Sequence, residues 1–178
     1  TKLTLWRILD KYLDEYFKAG MCGYLERLQL YEIITFKESI SLKKEIKFEG
    51  QITGVEIDPV VVELATKYFG LGKYNNVSIV IDDAFEFVLK SKEKYDLIII
   101  DIFQDTTMPN FLFEDFFINR INFLLKVNGF ILFNTMILNK NDSERNFDYR
   151  NKFDSNYSVR LYPKIEEHNE LFTIKKLA

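Results

Sequence analysis

Carboxylates recur where apolar runs of this chain end. Ile52-Thr53-Gly54-Val55 leads into Glu56 and Asp58, Val77 to Ile81 leads into Asp82 and Asp83, and Tyr95 to Ile100 leads into Asp101. An ionised carboxylate only accepts hydrogen bonds and takes two at once, which a vicinal diol such as that of a ribose supplies. In an open parallel sheet, ligands sit beyond the carboxyl ends of the strands, near the point where strand order reverses. Taken singly, each acid is explained equally well as a cap on the helix that follows it. Three successive strand ends of this kind favour a shared site. Asn134 closes the run from Gly129 and faces the same edge, where it bonds either a substrate or a turn.

These side chains need a sheet to bring them together, and the patterning predicts one. Leu5, Ile8, Leu9, Tyr12, Leu13, Tyr16 and Phe17 recur at helical spacing up to Gly20. Met21 to Leu30 is ambiguous. Tyr31 to Phe36 reads as a strand, and Lys37 to Phe48 as a surface helix ended by Gly50. Then come a strand over Gln51 to Glu56, a helix from Pro59 to Phe69 stopped by Gly70, and a strand over Val77 to Ile81. A short helix over Ala84 to Ser91 precedes a strand over Tyr95 to Asp101. Its consecutive aliphatics suit a strand covered on both faces. A helix over Leu112 to Leu125 and a strand over Gly129 to Asn134 complete the alternation. Alternating strands and helices imply parallel pairing with helices on both faces.

The last third differs. Asn139 to Asn156 is polar and reads as a loop with a short helix. Tyr157 to Tyr162 and Leu171 to Lys176 read as an antiparallel hairpin at the sheet edge. The expected organisation is a single domain over 1–178, with a helical region at 1–30, a parallel α/β core at 31–136 and a terminal hairpin at 157–176.

Composition narrows the function. A net charge of -3 argues against nucleic acid as a partner. The 16% aromatic content predicts an aromatic core. One cysteine, Cys22, and one histidine, His168, exclude an internal disulfide and an ordinary Cys/His zinc site. His168 sits in a predicted turn and reads as exposed rather than catalytic. Cys22 reads as an idle thiol, and Lys175-Lys176 as a solvated face. No apolar run approaches the roughly eighteen residues of a membrane span, and no secretory leader is visible. The cytoplasm is the expected compartment, with no membrane partner and a homodimer left open.

Four blocks in order resemble spermidine-synthase-like proteins of the class I S-adenosylmethionine-dependent methyltransferase superfamily. They are Ile52 to Leu71, Asp83 to Phe87, Lys94 to Asp101, and Lys126-Val127-Asn128-Gly129 with the strand behind it. The resemblance implies a Rossmann-like class I methyltransferase fold, with a mostly parallel seven-strand sheet ending in an antiparallel hairpin. It implies that Glu56, with Asp58 behind it, holds the cofactor's ribose hydroxyls. Asp83, beside Ala84, would accept from the adenine amino group. Asp101 would receive the proton of an acceptor amine, with Asp105 and Asn134 toward the substrate. Phe103 to Pro109 would form a lip over the transferring group.

One block of that pattern departs. The family's glycine-rich turn should fall near Ile33 to Ser39, which reads Ile-Ile-Thr-Phe-Lys-Glu-Ser. Glycine lets backbone approach a ligand closely, whereas Phe36 and Lys37 add bulk and charge. The leading expectation is a group transferase using S-adenosylmethionine or its decarboxylated form, with methyl transfer ahead of aminopropyl transfer. The acceptor, a small molecule or a protein, is not specified. The competing expectation is a catalytically degenerate fold that binds a protein partner.

Overall fold

In a computed structural model, residues 29–33, 50–103, 107–165 and 168–178 are described. Five parallel strands run β1 Gln29–Ile33, β2 Gln51–Glu56, β3 Val77–Ile81, β4 Tyr95–Ile100 and β5 Leu125–Met136. β6 Tyr157–Ile165 and β7 Asn169–Lys176 form a hairpin, and β7 pairs antiparallel with β5. The sheet order is β3-β2-β1-β4-β5-β7-β6. Strand order therefore reverses between β1 and β4, where a crevice opens in such sheets. The predicted segments before Gln29 and over 34–49 lie outside the described residues.

Helices α1 Pro59–Leu64, α2 Ala84–Lys90, α3 Asp115–Leu124 and α4 Lys140–Asn151 join or flank the strands. α1 is shorter than the periodicity predicts. It passes into a π-helical turn, Ala65–Phe69, which Gly70 ends at φ 78°. Glycine takes this left-handed conformation without a Cβ clash. The predicted helix over Leu112 to Leu125 divides at Glu114 into a 3-10 turn, Asn110–Phe113, and α3. β5 begins earlier than predicted, at Leu125, but its ladder with β4 is interrupted between Leu125 and Phe130. Asn128 sits there at φ 66°. Gly129 follows because an added Cβ would lie 2.9 Å from the carbonyl oxygens of Asp96 and Lys126.

One face of the sheet carries the main core. Ile98, Ile131 and Ile174 stand in register across β4, β5 and β7, as do Ile100, Phe133 and Phe172. Phe117, Ile118, Ile121 and Leu124 of α3 close over them. Arg120 ties α2 to α3 by donating to the carbonyls of Val88, Leu89 and Ser91, which lack partners at a helix end. Lys176 donates to the carbonyls of Asn122 and Leu125. It closes the end of α3 and is not part of a solvated face.

α4 is the helix expected within the polar segment, but it fills most of that segment in place of a loop. Its buried positions are Asn146 and Tyr149, so it lacks the aliphatic stripe that announces a helix. Tyr149 packs edge-on against Phe133, Phe113 and Phe153. Burial pushes its phenol far above the ordinary 10.0, and burial also raises Tyr95 and Tyr157. A raised folded-state pKa leaves stability intact below pH 10, where neither state ionises. Above it the unfolded chain gains charge that the folded chain refuses, so stability falls as pH rises through the folded values. Urea midpoints should therefore hold up to about pH 10 and then drop, and Tyr149→Phe should flatten that drop. An unchanged alkaline slope in the variant would contradict this account.

Candidate functional site

Parallel neighbours end on one rim. Glu56 pairs with Ile81 across β2 and β3, and Ile100 pairs with Phe133 across β4 and β5. Glu56, Asp82, Asp83, Asp101 and Asn134 all lie at these carboxyl ends. β1 runs between β2 and β4, so Glu56 and Asp101 flank the reversal point.

Each acid is held locally. Glu56 is half-buried, and its Oε1 accepts the Asp58 N–H at 3.0 Å. Asp58 Oδ1 accepts from Val60 N–H at 2.8 Å and caps α1. Asp83 Oδ1 accepts from Phe85 and Glu86 N–H at 2.8 and 3.3 Å and caps α2, whose first residue is Ala84. Asp82 Oδ1 accepts from Asp83 N–H at 2.9 Å. The capping alternative is thus realised at Asp58 and Asp83. Each of those oxygens is committed to a helix end, which orients the carboxylate. Glu56 caps no helix.

Across the reversal point, Asp101 Oδ1 accepts from Asn134 Nδ2 at 2.9 Å. Asn134 is only 9% exposed, and its Oδ1 accepts from Asn169 Nδ2 at 3.0 Å. Sequence reading missed Asn169. The register signals it, because Asn134 faces Leu171 and Met136 faces Asn169, which makes the two asparagines diagonal neighbours. Asp105 and the glycine-free segment from 34 to 39 lie outside the described residues.

Of the expected lip, residues 104–106 lie outside the described residues. Phe103 packs against the main core, and Met108 is buried with its sulfur accepting the Met136 N–H at 3.4 Å. Phe111, just beyond that segment, contacts Phe85 and Phe117 at 5.2 and 5.0 Å and belongs to the core. His168 is exposed, and its carbonyl accepts the Ile137 N–H at 2.6 Å.

A second polar group braces the far side of β5. Asn146 Nδ2 donates to Thr135 Oγ1 at 2.9 Å and to Glu170 Oε2 at 3.1 Å. Arg145 donates to the Met136 carbonyl at 2.9 Å. Burial disfavours its charge, and Asp142 at 3.1 Å favours it. An open hollow of about 410 Å³ beside α4 is lined by Arg145, Asp148, Tyr149 and Lys152 among others. Its charges are mixed. Among the described residues, no group of three or more His, Cys, Asp or Glu side chains could hold a metal. No helix there is long and apolar enough to cross a membrane.

Among solved structures, a probable spermidine synthase from Corynebacterium glutamicum superposes with a TM-score of 0.72. It is 15% identical and covers 89% of this chain and 60% of its own. Human methyltransferase-like protein 13, solved in complex with SAH, gives 0.70 at 21% identity, covering 85% and 72%. These likenesses establish a Rossmann-like methyltransferase fold. A polyamine aminopropyltransferase from Vibrio vulnificus is 28% identical over 120 residues, 66% of this chain and 40% of the relative. The chain therefore spans well under half the length of that relative. The Spermine/spermidine synthase domain matches residues 25–175, and the chain belongs to that family.

Proposed function

We propose that this chain transfers an alkyl group from an S-adenosylmethionine-type sulfonium onto an amine nitrogen, with an aminopropyl group from the decarboxylated donor as the first reading. Family membership moves aminopropyl transfer ahead of methyl transfer, since most of the relatives it resembles are polyamine aminopropyltransferases. The observation that carries the reading is the Asp101 carboxylate held by buried Asn134 at the reversal point of the sheet.

The donor set fits such a nucleoside. Glu56 is acceptor-only and pre-oriented by the Asp58 N–H, which suits it to the ribose diol. Asp83, fixed as a cap with Ala84 beside it, suits the adenine amino group. When bound, the donor supplies a sulfonium whose carbon–sulfur bond breaks and whose sulfur keeps the electron pair. The chain's own part is alignment and proton handling. Asp101 holds the amine with its lone pair directed at the transferred carbon. The nitrogen gains a bond to that carbon and releases a proton, which Asp101 accepts. Asp105, four residues on, would add a second charge for a polycationic acceptor.

Calorimetric titration with S-adenosylmethionine and with its decarboxylated form separates the readings. Heat with the decarboxylated form supports aminopropyl transfer, and heat with the first alone supports methyl transfer. Silence with both leaves a protein-binding module. Glu56→Ala should weaken donor binding by about a hundredfold, as expected for two lost hydrogen bonds to a charged group. Unaltered affinity in that variant would move the nucleoside elsewhere.

A further inference from the structure

We propose that Asn169 is a positioning residue for the transfer. It fixes the direction of the Asn134 amide and, through it, the orientation of Asp101. This rests on the transferase reading above.

The polarity of the chain follows from its acidic end. A carboxylate accepts and cannot donate, so Asn134 must turn its NH2 toward Asp101 Oδ1. That turns the Asn134 carbonyl toward Asn169, which must answer with its own NH2, as it does at 3.0 Å. Asn134 is nearly buried, so water is poorly placed to substitute for either partner. Without Asn169, nothing at that position holds the Asn134 carbonyl. The amide is then held from one end only and can swing about its side-chain bonds, carrying Asp101 with it.

The anchor itself is rigid. The Ile137 N–H donates to the His168 carbonyl at 2.6 Å, one residue before Asn169. Thr135 Oγ1 donates to the Glu170 carbonyl at 3.1 Å, one residue after it, and Asn146 also holds the Glu170 side chain. The start of β7 is thereby clamped to the end of β5 on both sides of Asn169. Support of this kind holds a functional group within the narrow tolerance that a transfer step needs.

The test compares Asn169→Ala with Asn169→Asp in the 178-residue chain. Turnover is measured with decarboxylated S-adenosylmethionine and putrescine, and with S-adenosylmethionine and the same amine. Donor Kd and thermal midpoint are measured alongside. Asn169→Ala should lower kcat about tenfold with donor Kd unchanged, the scale of one neutral hydrogen bond. Asn169→Asp is nearly isosteric, so a space-filling role predicts that it is the milder change. A directional relay predicts the reverse. Asp at 169 competes with Asp101 for the single Asn134 NH2 and should lower kcat further, by roughly a hundredfold, the scale of a charged hydrogen bond.

Asn169→Asp turning over as fast as Asn169→Ala or faster overturns the proposal. Nitrogen-15 NMR of the Asn134 side-chain amide reads the relay without turnover. Slowed proton exchange in the wild type that is lost in Asn169→Ala supports it, and signals indifferent to the substitution overturn it. A wild type inactive with both donors would refute the transferase reading, and the NMR comparison would still decide whether Asn169 orients Asn134.

Discussion

Asp101→Asn should lower kcat by about a hundred- to ten-thousandfold while leaving donor affinity nearly unchanged, the range for loss of a positioned proton acceptor. The substitution is chosen for its shape. The new amide oxygen can take the hydrogen bond that Asn134 Nδ2 now gives to Oδ1 at 2.9 Å, so the neighbourhood keeps its geometry. What disappears is the negative charge that holds an ammonium-forming nitrogen and takes its proton. Asp101→Ala would confound this by also orphaning the Asn134 amide in a buried place, which carries its own destabilisation. The expected pattern is therefore loss of kcat, an unmoved thermal midpoint and retained donor heat. A variant that keeps wild-type turnover would remove Asp101 from the chemistry. One that loses donor heat together with activity would place Asp101 against the nucleoside rather than the acceptor.

The sequence revealed the rim better than its supports. Glu56, Asp83 and Asp101 follow apolar runs, and β4 is the most legible of these strands, because burial on both faces leaves few other uses for its four consecutive aliphatics. The hairpin was legible from its alternation, although β6 and β7 extend beyond the predicted ends. α4 was not legible. It docks through Asn146, Tyr149 and Arg145, which bond the sheet instead of presenting Leu or Val at helical spacing. A helix that packs by polar side chains looks like a loop to any reading based on apolar period. Asn169 was missed for a related reason. Nothing in a hairpin sequence marks a side chain whose partner lies 35 residues away, and only the pairing of β5 with β7 brings it to Asn134. The capping role of Asp58 and Asp83 was foreseeable only as an alternative, because an acid before a helix serves as a cap whether or not a ligand is near.

Phe133→Ala should destabilise the fold by about 3–5 kcal/mol, the largest single loss expected from the core. Phe133 is fully buried and meets Phe113, Tyr149 and Phe172 at ring distances of 5.5, 5.0 and 6.4 Å. It stands between Ile100 of β4 and Phe172 of β7 in register. Truncation would remove contacts to α4, to the 3-10 turn and to both neighbouring strands at once. The cavity would be walled by rings that cannot all relax into it, because each also packs elsewhere. Phe133→Leu retains much of the volume and should cost less than half as much. The two variants also separate stability from the site. Phe133 points to the α3 and α4 side of β5, whereas Asn134, next in the strand, points to the other. Phe133→Leu should therefore melt earlier in a denaturant titration yet bind the donor with wild-type affinity at a temperature where it is folded. Weakened donor binding in a folded Phe133→Leu protein would mean that packing on one face of β5 sets the position of groups on the other, and that the rim is less rigid than its hydrogen bonds imply.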